Sequence, residues 1–205
     1  MTRGVIVVGD SGHAKVCIEL LRSMGRRVDF CVGVTGAQEC LGVPVLHGDE
    51  HLGALRGKGY VDAFVALGAN GARRRLADVT RALGFTLVNA ISPTAIISPT
   101  AQLGSGVAVM AGAIVNADAV IGDLAIINTG ACIDHDCRVG VAAHIAPLCG
   151  LAGNVTVGDG SFLGIGCKVI PEIEIGADVV LGAGAVVVRN IPAGAKAVGV
   201  PARTI

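Results

Sequence analysis

From Ile91 the chain keeps a period of six. Every sixth residue from Ile91 to Val187 is Ile, Leu or Val, and the residue four places further on is small or β-branched, as at Ala95, Val107, Ala131, Cys149 and Cys167. A helix needs a period near 3.6 and a half-buried strand a period of 2, so an unbroken six is neither. It predicts a solenoid in which each hexad contributes one short strand and one turn, with three hexads closing a triangular coil and both columns facing inward. Hexapeptide coils of this kind are left-handed parallel β-helices, an exception to the right-handed crossover rule. The glycines directly after the aliphatic position (Gly104, Gly122, Gly140, Gly158, Gly164, Gly176 and Gly182) are expected to supply the turn conformations. Coils stack about 4.8 Å apart, so residues eighteen apart lie over one another.

Before Ile91 the pattern changes. VIVVGDSGHAKVCIELLRSMG reads as a buried strand, a glycine-bearing turn and a helix with an apolar face of Val16, Cys17, Leu20 and Leu21. RVDFCVGV and YVDAFVALGAN read as strands, NGARRRLADVTRALG as a helix and FTLVNAI as a closing strand. The alternation predicts a small Rossmann-like βαβαβ unit over 1–90, followed by the left-handed β-helix over 91–205.

Two places carry candidate chemistry. In INTGACIDHDCRVG, residues 127–140, His135 stands two places past the inward Ile133, at a corner of the prism, and Gly153 follows it one coil later. A glycine there is expected to leave an open notch beside the imidazole, with a backbone N–H available to a ligand. His144 precedes the inward Ile145 and should point outward from a flat face. In the α/β unit, GDSGH (9–13) is a strand-to-helix turn whose free N–H groups favour phosphate, although an ordinary connection gives the same residues. LGAN (67–70) is a second such turn, and Arg73 to Arg75 follow it. His47 and His51 read as loop residues.

Composition narrows the field. Sixteen basic and sixteen acidic residues leave no whole-chain field to attract nucleic acid or an anionic membrane. Residues 1–90 hold 11 basic and 8 acidic groups against 5 and 8 in the remainder, a weak pointer to an anionic ligand in the first half. Residues 82–117 contain no charge, yet Pro93, Pro99 and four glycines interrupt them, which argues against a membrane span. TRGVIVVGD reaches a glycine and a charge too early for a secretory signal, so a cytoplasmic protein is expected. Seven cysteines without a CxxC pair predict reduced core residues and no zinc knuckle.

GDSGH fused to a long hexapeptide helix carrying NTGACIDHDC, HIAPLCGLAGNV, FLGIG and a terminal GVPAR resembles the bacterial nucleotide-sugar N-acetyltransferases of the bacillosamine and perosamine type. The resemblance covers nearly the whole chain. It implies acetyl-CoA as donor, no metal, a homotrimer with sites at subunit interfaces, and as acceptor the amine of a 4-amino-4,6-dideoxy sugar on a nucleoside diphosphate. By position it implies His135 as general base with Asp136 as its acidic partner. His144, Gly153, Ile165 and Ala183 then fall on acetyl-CoA, and Gly9, Ser11, Gly12, His13, Asn70, Arg73 and Asn128 on the nucleotide-sugar. CVGVTG (31–36) lacks the aspartate that related sequences commonly carry where the base is read, leaving uridine and guanosine both open. O-acetylation of a sialic-acid-type sugar, a zinc carbonic anhydrase on the same β-helix and a non-catalytic nucleotide-sugar sensor are the competing readings.

Overall fold

The computed structural model describes residues 3–205, which divide into units meeting at Pro93 and Thr94. The first unit contains β1 (Val5–Val8), α1 (Gly12–Ser23), β2 (Val28–Gly33), β3 (Glu39–Cys40), β4 (Val43–His47), α2 (His51–Gly57), β5 (Asp62–Val65), α3 (Asn70–Ala82) and β6 (Thr86–Leu87). Its sheet runs β3-β4-β2-β1-β5-β6, parallel except for the β3/β4 hairpin. Each residue of β1 is buried, as a central strand covered on both faces requires. The chain leaves β1 first toward β2 and later crosses to β5, so the order reverses at β1. The carboxyl ends of strands beside such a reversal are where open α/β sheets bind ligands.

Three expectations change here. Val16 is half-exposed, and the buried face of α1 is Ala14, Cys17, Ile18, Leu20 and Leu21. His47 ends β4 and His51 opens α2, so neither is a loop residue. The unit also holds a hairpin and a helix between β2 and β5 that a simple βαβαβ reading omits.

The second unit is the left-handed β-helix. Two-residue strands pair in parallel with an eighteen-residue register on three faces: Cys132–Ile133 on Gly150–Leu151, Arg138–Val139 on Thr156–Val157, and His144–Ile145 on Phe162–Leu163. From Val109 to Val187 the aliphatic column is buried throughout, and Cys137, Cys149 and Cys167 are buried in the second inward column. All seven cysteines are free. These small inward side chains also bond: the Ser161 hydroxyl donates to Gly176 O at 2.8 Å, and the Cys149 thiol to Gly164 O at 3.0 Å.

The glycines after the aliphatic position do not make the turns. A β-carbon on Gly122 would lie 2.8 Å from Val141 N, and one on Gly164 2.7 Å from Ala183 N. They are glycine because the next coil's backbone passes too close for a side chain. The left-handed conformation sits two residues later, where every sixth residue from Gly106 to Gly184 has positive φ, including Asp118, Asp136, Asn154 and Asp178. Asp and Asn tolerate that region better than other L-residues. No helix is long and apolar enough to cross a membrane among the described residues.

Candidate active site

His135 follows the strand Cys132–Ile133 at a prism edge, and the coil geometry fixes its neighbours. Asp136 occupies the left-handed turn position, with φ 58°. Its carboxylate Oδ2 accepts from His135 Nδ1 at 2.8 Å, which sets the tautomer and leaves the Nε2 lone pair unused. Both side chains are about half exposed. Asp134 lies on the other side: its Oδ1 accepts from the His135 backbone N–H at 2.8 Å and from Asn116 Nδ2 at 3.0 Å. These two bonds hold the Asp134 carboxyl below its ordinary range. The His135 imidazole is pushed above its ordinary value, mainly by the bond to Asp136 and then by the charge of Asp134.

Gly153 does not leave an empty notch. The ring of His135 fills that space, since a β-carbon on Gly153 would lie 2.5 Å from Cε1 and 2.6 Å from Nε2. The Gly153 N–H donates no hydrogen bond among the described residues.

His144 points outward from its strand yet is buried. Thr129 N donates to Asn128 Oδ1 at 2.8 Å, so the Asn128 amide nitrogen is what meets His144 Nε2 at 3.0 Å. The ring nitrogen Nε2 therefore accepts in this arrangement. Phe162, one coil on, packs edge-to-face against the ring with centroids 5.1 Å apart. A cavity of about 440 Å³ adjoins this group, walled by Pro147, Phe162, Ile165, Val180, Leu181 and Ala183, with Asn128 and His144 as its polar members. Its lining is apolar except for the hydrogen-bonded Asn128–His144 pair. Asn128, His144, Ile165 and Ala183 are thus brought together, whereas His135, Asp136 and Gly153 form a separate group. The face carrying Cys132, Gly150 and Lys168 separates the two.

In the α/β unit, Gly9 has φ +124° and its β-carbon would meet Ala66 O at 2.7 Å, so the turn after β1 packs directly on the end of β5. Ser11 and Gly12 open α1, and neither caps it with a side-chain bond. A cleft of about 110 Å³ lies here, lined by Gly9, Asp10, Val34, Asp49, Leu67 and Arg75. Asp10 reaches the end of β2, where Oδ2 accepts from Thr35 N at 3.0 Å and Thr35 Oγ1 at 2.6 Å. A carboxylate thus stands at the end of β2, although CVGVTG itself carries none.

Arg73 corrects an expectation. It is 1% exposed and is spent on the chain, donating to Leu67 O at 2.8 Å, Gly68 O at 3.1 Å and Asn70 Oδ1 at 2.9 Å. It therefore shapes LGAN and holds Asn70 instead of meeting an anion itself. His13 Nε2 is buried without a hydrogen-bond partner among the described residues, and burial together with Arg73 pushes the imidazole down to about 4. His13 is accordingly neutral near pH 7.

Sequence reasoning singled out the histidines but passed over Asn116, Asp134 and Phe162. Asn116 and Phe162 each lie eighteen residues from the residue they meet, and Asp134 is one place before His135, so the coil register was the signal that locates them. No group of three or more His, Cys, Asp or Glu side chains converges on a metal-binding arrangement among the described residues.

Comparisons with known proteins show the family. The PglD N-terminal domain model matches residues 4–80, and the bacterial transferase hexapeptide model, six repeats, matches 154–189. PerB from Caulobacter crescentus, solved with CoA and GDP-perosamine, is 52% identical over 100% of this chain and 98% of its own, with a TM-score of 0.97. The same perosamine N-acetyltransferase has been solved with one histidine replaced by asparagine or alanine. The acetyltransferase domain of PglB from Neisseria gonorrhoeae, in complex with acetyl coenzyme A, is 37% identical over 100% of both chains, with a TM-score of 0.92. WeeI from Acinetobacter baumannii, at 23% identity and a TM-score of 0.88, shares the fold.

Proposed function

The chain belongs to the nucleotide-sugar N-acetyltransferases of the hexapeptide-repeat superfamily, and from that premise we propose that it acetylates the 4-amino group of a nucleotide-linked 4-amino-4,6-dideoxy sugar. Acetyl-CoA is the donor. Among acceptors, the GDP-perosamine type has the stronger support, because the relative at 52% identity was solved with that ligand.

The observation that carries the reading is the His135–Asp136 pair, a solvent-facing imidazole whose Nδ1–H is fixed and whose Nε2 is unused. In the reaction the acceptor nitrogen attacks the thioester carbonyl while its proton passes to His135 Nε2. The C–S bond then breaks, and the departing CoA thiolate takes that proton back from His135 and leaves as the thiol. Asp136 stabilises the imidazolium as it forms, and a base so placed is worth about 10²–10⁴-fold in rate. The Gly153 N–H, which donates no hydrogen bond among the described residues, is the candidate donor to the carbonyl oxygen as charge develops there.

The slot beside His144 suits the thin apolar and amide pantetheine arm, with Ile165 and Ala183 along it and the Asn128–His144 pair at its polar end. The turns at Gly9, Ser11, Gly12, His13 and Asn70 form the nucleotide-sugar end. Within one chain the slot and His135 lie on opposite sides of a face, which supports a homotrimer in which the slot of one copy serves His135 of the next. The exposed Ile96, Leu148, Ile165 and Ile170 give that assembly apolar surface to cover. A cytoplasmic location fits a donor and an acceptor made there.

The test is thiol release from acetyl-CoA against GDP- and UDP-linked 4-amino sugars and against sialic-acid-type sugars offering hydroxyls only. Turnover confined to the amino sugars is expected. Turnover confined to the hydroxyl acceptors contradicts the assignment.

A further inference from the structure

We propose that Asn116 is a positioning residue for the active histidine: from the coil beneath, it fixes the Asp134 carboxylate beside His135. The inference rests on the reading of His135 as the proton acceptor.

Asn116 and Asp134 occupy equivalent places one coil apart, each directly after an inward aliphatic residue, Val115 and Ile133. The backbone of Asn116 is committed to the coil, its N–H donating to Ile133 O at 2.9 Å and its carbonyl accepting from Ala119 N at 3.3 Å. Only its side-chain amide is left for other work, and Nδ2 is given to Asp134 Oδ1 at 3.0 Å. That same oxygen accepts the His135 backbone N–H at 2.8 Å. Two donors on one oxygen fix the rotation of the carboxylate and favour its charged form. The residue stacked above Asp134 is Ala152, which has no polar side-chain atom, so the coil below is the side that supplies the anchor.

His135 is thereby held between two carboxylates of different kinds. Asp136 touches the ring, and Asp134 acts on it through space while bonding its backbone. Around this edge stand Asp118, stacked beneath Asp136, Glu172 in the same column two coils above it, and Arg138 on the adjoining strand, with the thiols of Cys132 and Cys137 beside Asp134 and Lys168 beside Cys132. The edge is predominantly negative, so an imidazolium forming there is stabilised, and loss of a fixed Asp134 charge lowers the proton affinity of the ring.

The experiment is an NMR titration of the His135 imidazole in the whole protein, run alongside the pH profile of kcat/KM. It uses wild type, Asn116→Ala, Asp134→Asn and the double variant. Asn116→Ala should lower the His135 midpoint by about 0.2–0.7 pH unit, the scale of an exposed charge pair, and Asp134→Asn should lower it at least as far. Asn116→Ala should then add nothing in the Asp134→Asn background, and the acid limb of kcat/KM should follow the midpoint. An unchanged midpoint in Asn116→Ala, or an Asn116→Ala effect that persists without the Asp134 charge, overturns the proposal. A midpoint that moves while the acid limb stays fixed overturns the base assignment instead, because the pair then tunes a histidine that takes no proton in the reaction.

Discussion

The imidazole of His135 rests on the backbone of Gly153, eighteen residues further along the chain. The contact is close enough that a β-carbon at 153 would stand 2.5 Å from Cε1 and 2.6 Å from Nε2. Gly153→Ala should therefore push the ring off its seat and away from Asp136 while leaving the inward columns untouched. The expected outcome is a fall in kcat on the order of 10²-fold or more, with a melting temperature within a few degrees of wild type. Steady-state kinetics and a thermal scan check it.

Asp136 governs the pH dependence. Its bond is the largest cause of the raised His135 value, so the base should require a pH above the ordinary imidazole value of 6.5 to be half deprotonated. Activity should rise with pH through that point. Asp136→Asn removes the charge but keeps the shape, and Asn tolerates the left-handed backbone at this position. The acid limb of kcat/KM should move to lower pH while the maximal rate falls. A profile measured from pH 5 to 9 shows either result.

The fold was legible because one constraint, an inward aliphatic residue, recurs at every hexad from Ile91 to Val187. The turns were not, because glycine serves two purposes in the repeat. Gly122 and Gly164 make room for a neighbouring backbone, whereas Gly112 and Gly130 hold left-handed turns. Asp118, Asp136, Asn154 and Asp178 at the left-handed positions were the distinguishing sign. In the first unit, Pro44 and the short β3 hid the hairpin, and Gly53 and Gly57 lowered the helical signal of α2. His135 could be placed at a corner by counting. Its dependence on Gly153 for seating and on Asn116 through Asp134 needed side-chain directions, which periodicity does not carry. The burial of Arg73 was illegible for a different reason: two of its three named partners are backbone carbonyls, which leave no mark in the sequence.

Ser161 tests the coil itself. It is fully buried, donates to Gly176 O at 2.8 Å and accepts from Val179 N at 2.9 Å, thereby joining two coils. Ser161→Ala leaves both groups without that partner and should cost about 1–3 kcal/mol of stability. Ser161→Cys, which keeps a donor as Cys149 and Cys167 do at equivalent positions, should recover part of the loss. Chemical denaturation of the three proteins measures it.

His13 adds a pH dependence of stability. Its imidazole is held near 4 in the folded chain, against 6.5 ordinarily. Between those values the unfolded chain binds the proton more readily, so stability is full above about pH 6.5 and declines as pH falls toward 4. The contribution is about 3 kcal/mol at most. His13→Gln should flatten this part of the curve, read as a smaller loss of denaturation midpoint between pH 7.5 and pH 5 than in wild type.

The most direct measurement is the rate of acetyl transfer by His135→Ala, at saturating acetyl-CoA and 4-amino nucleotide-sugar, together with the affinity for each. The account predicts a loss of kcat of about 10²–10⁴-fold with both substrates still bound within a few-fold of wild type. A variant that retains wild-type turnover would show that the proton leaves the amine by another route.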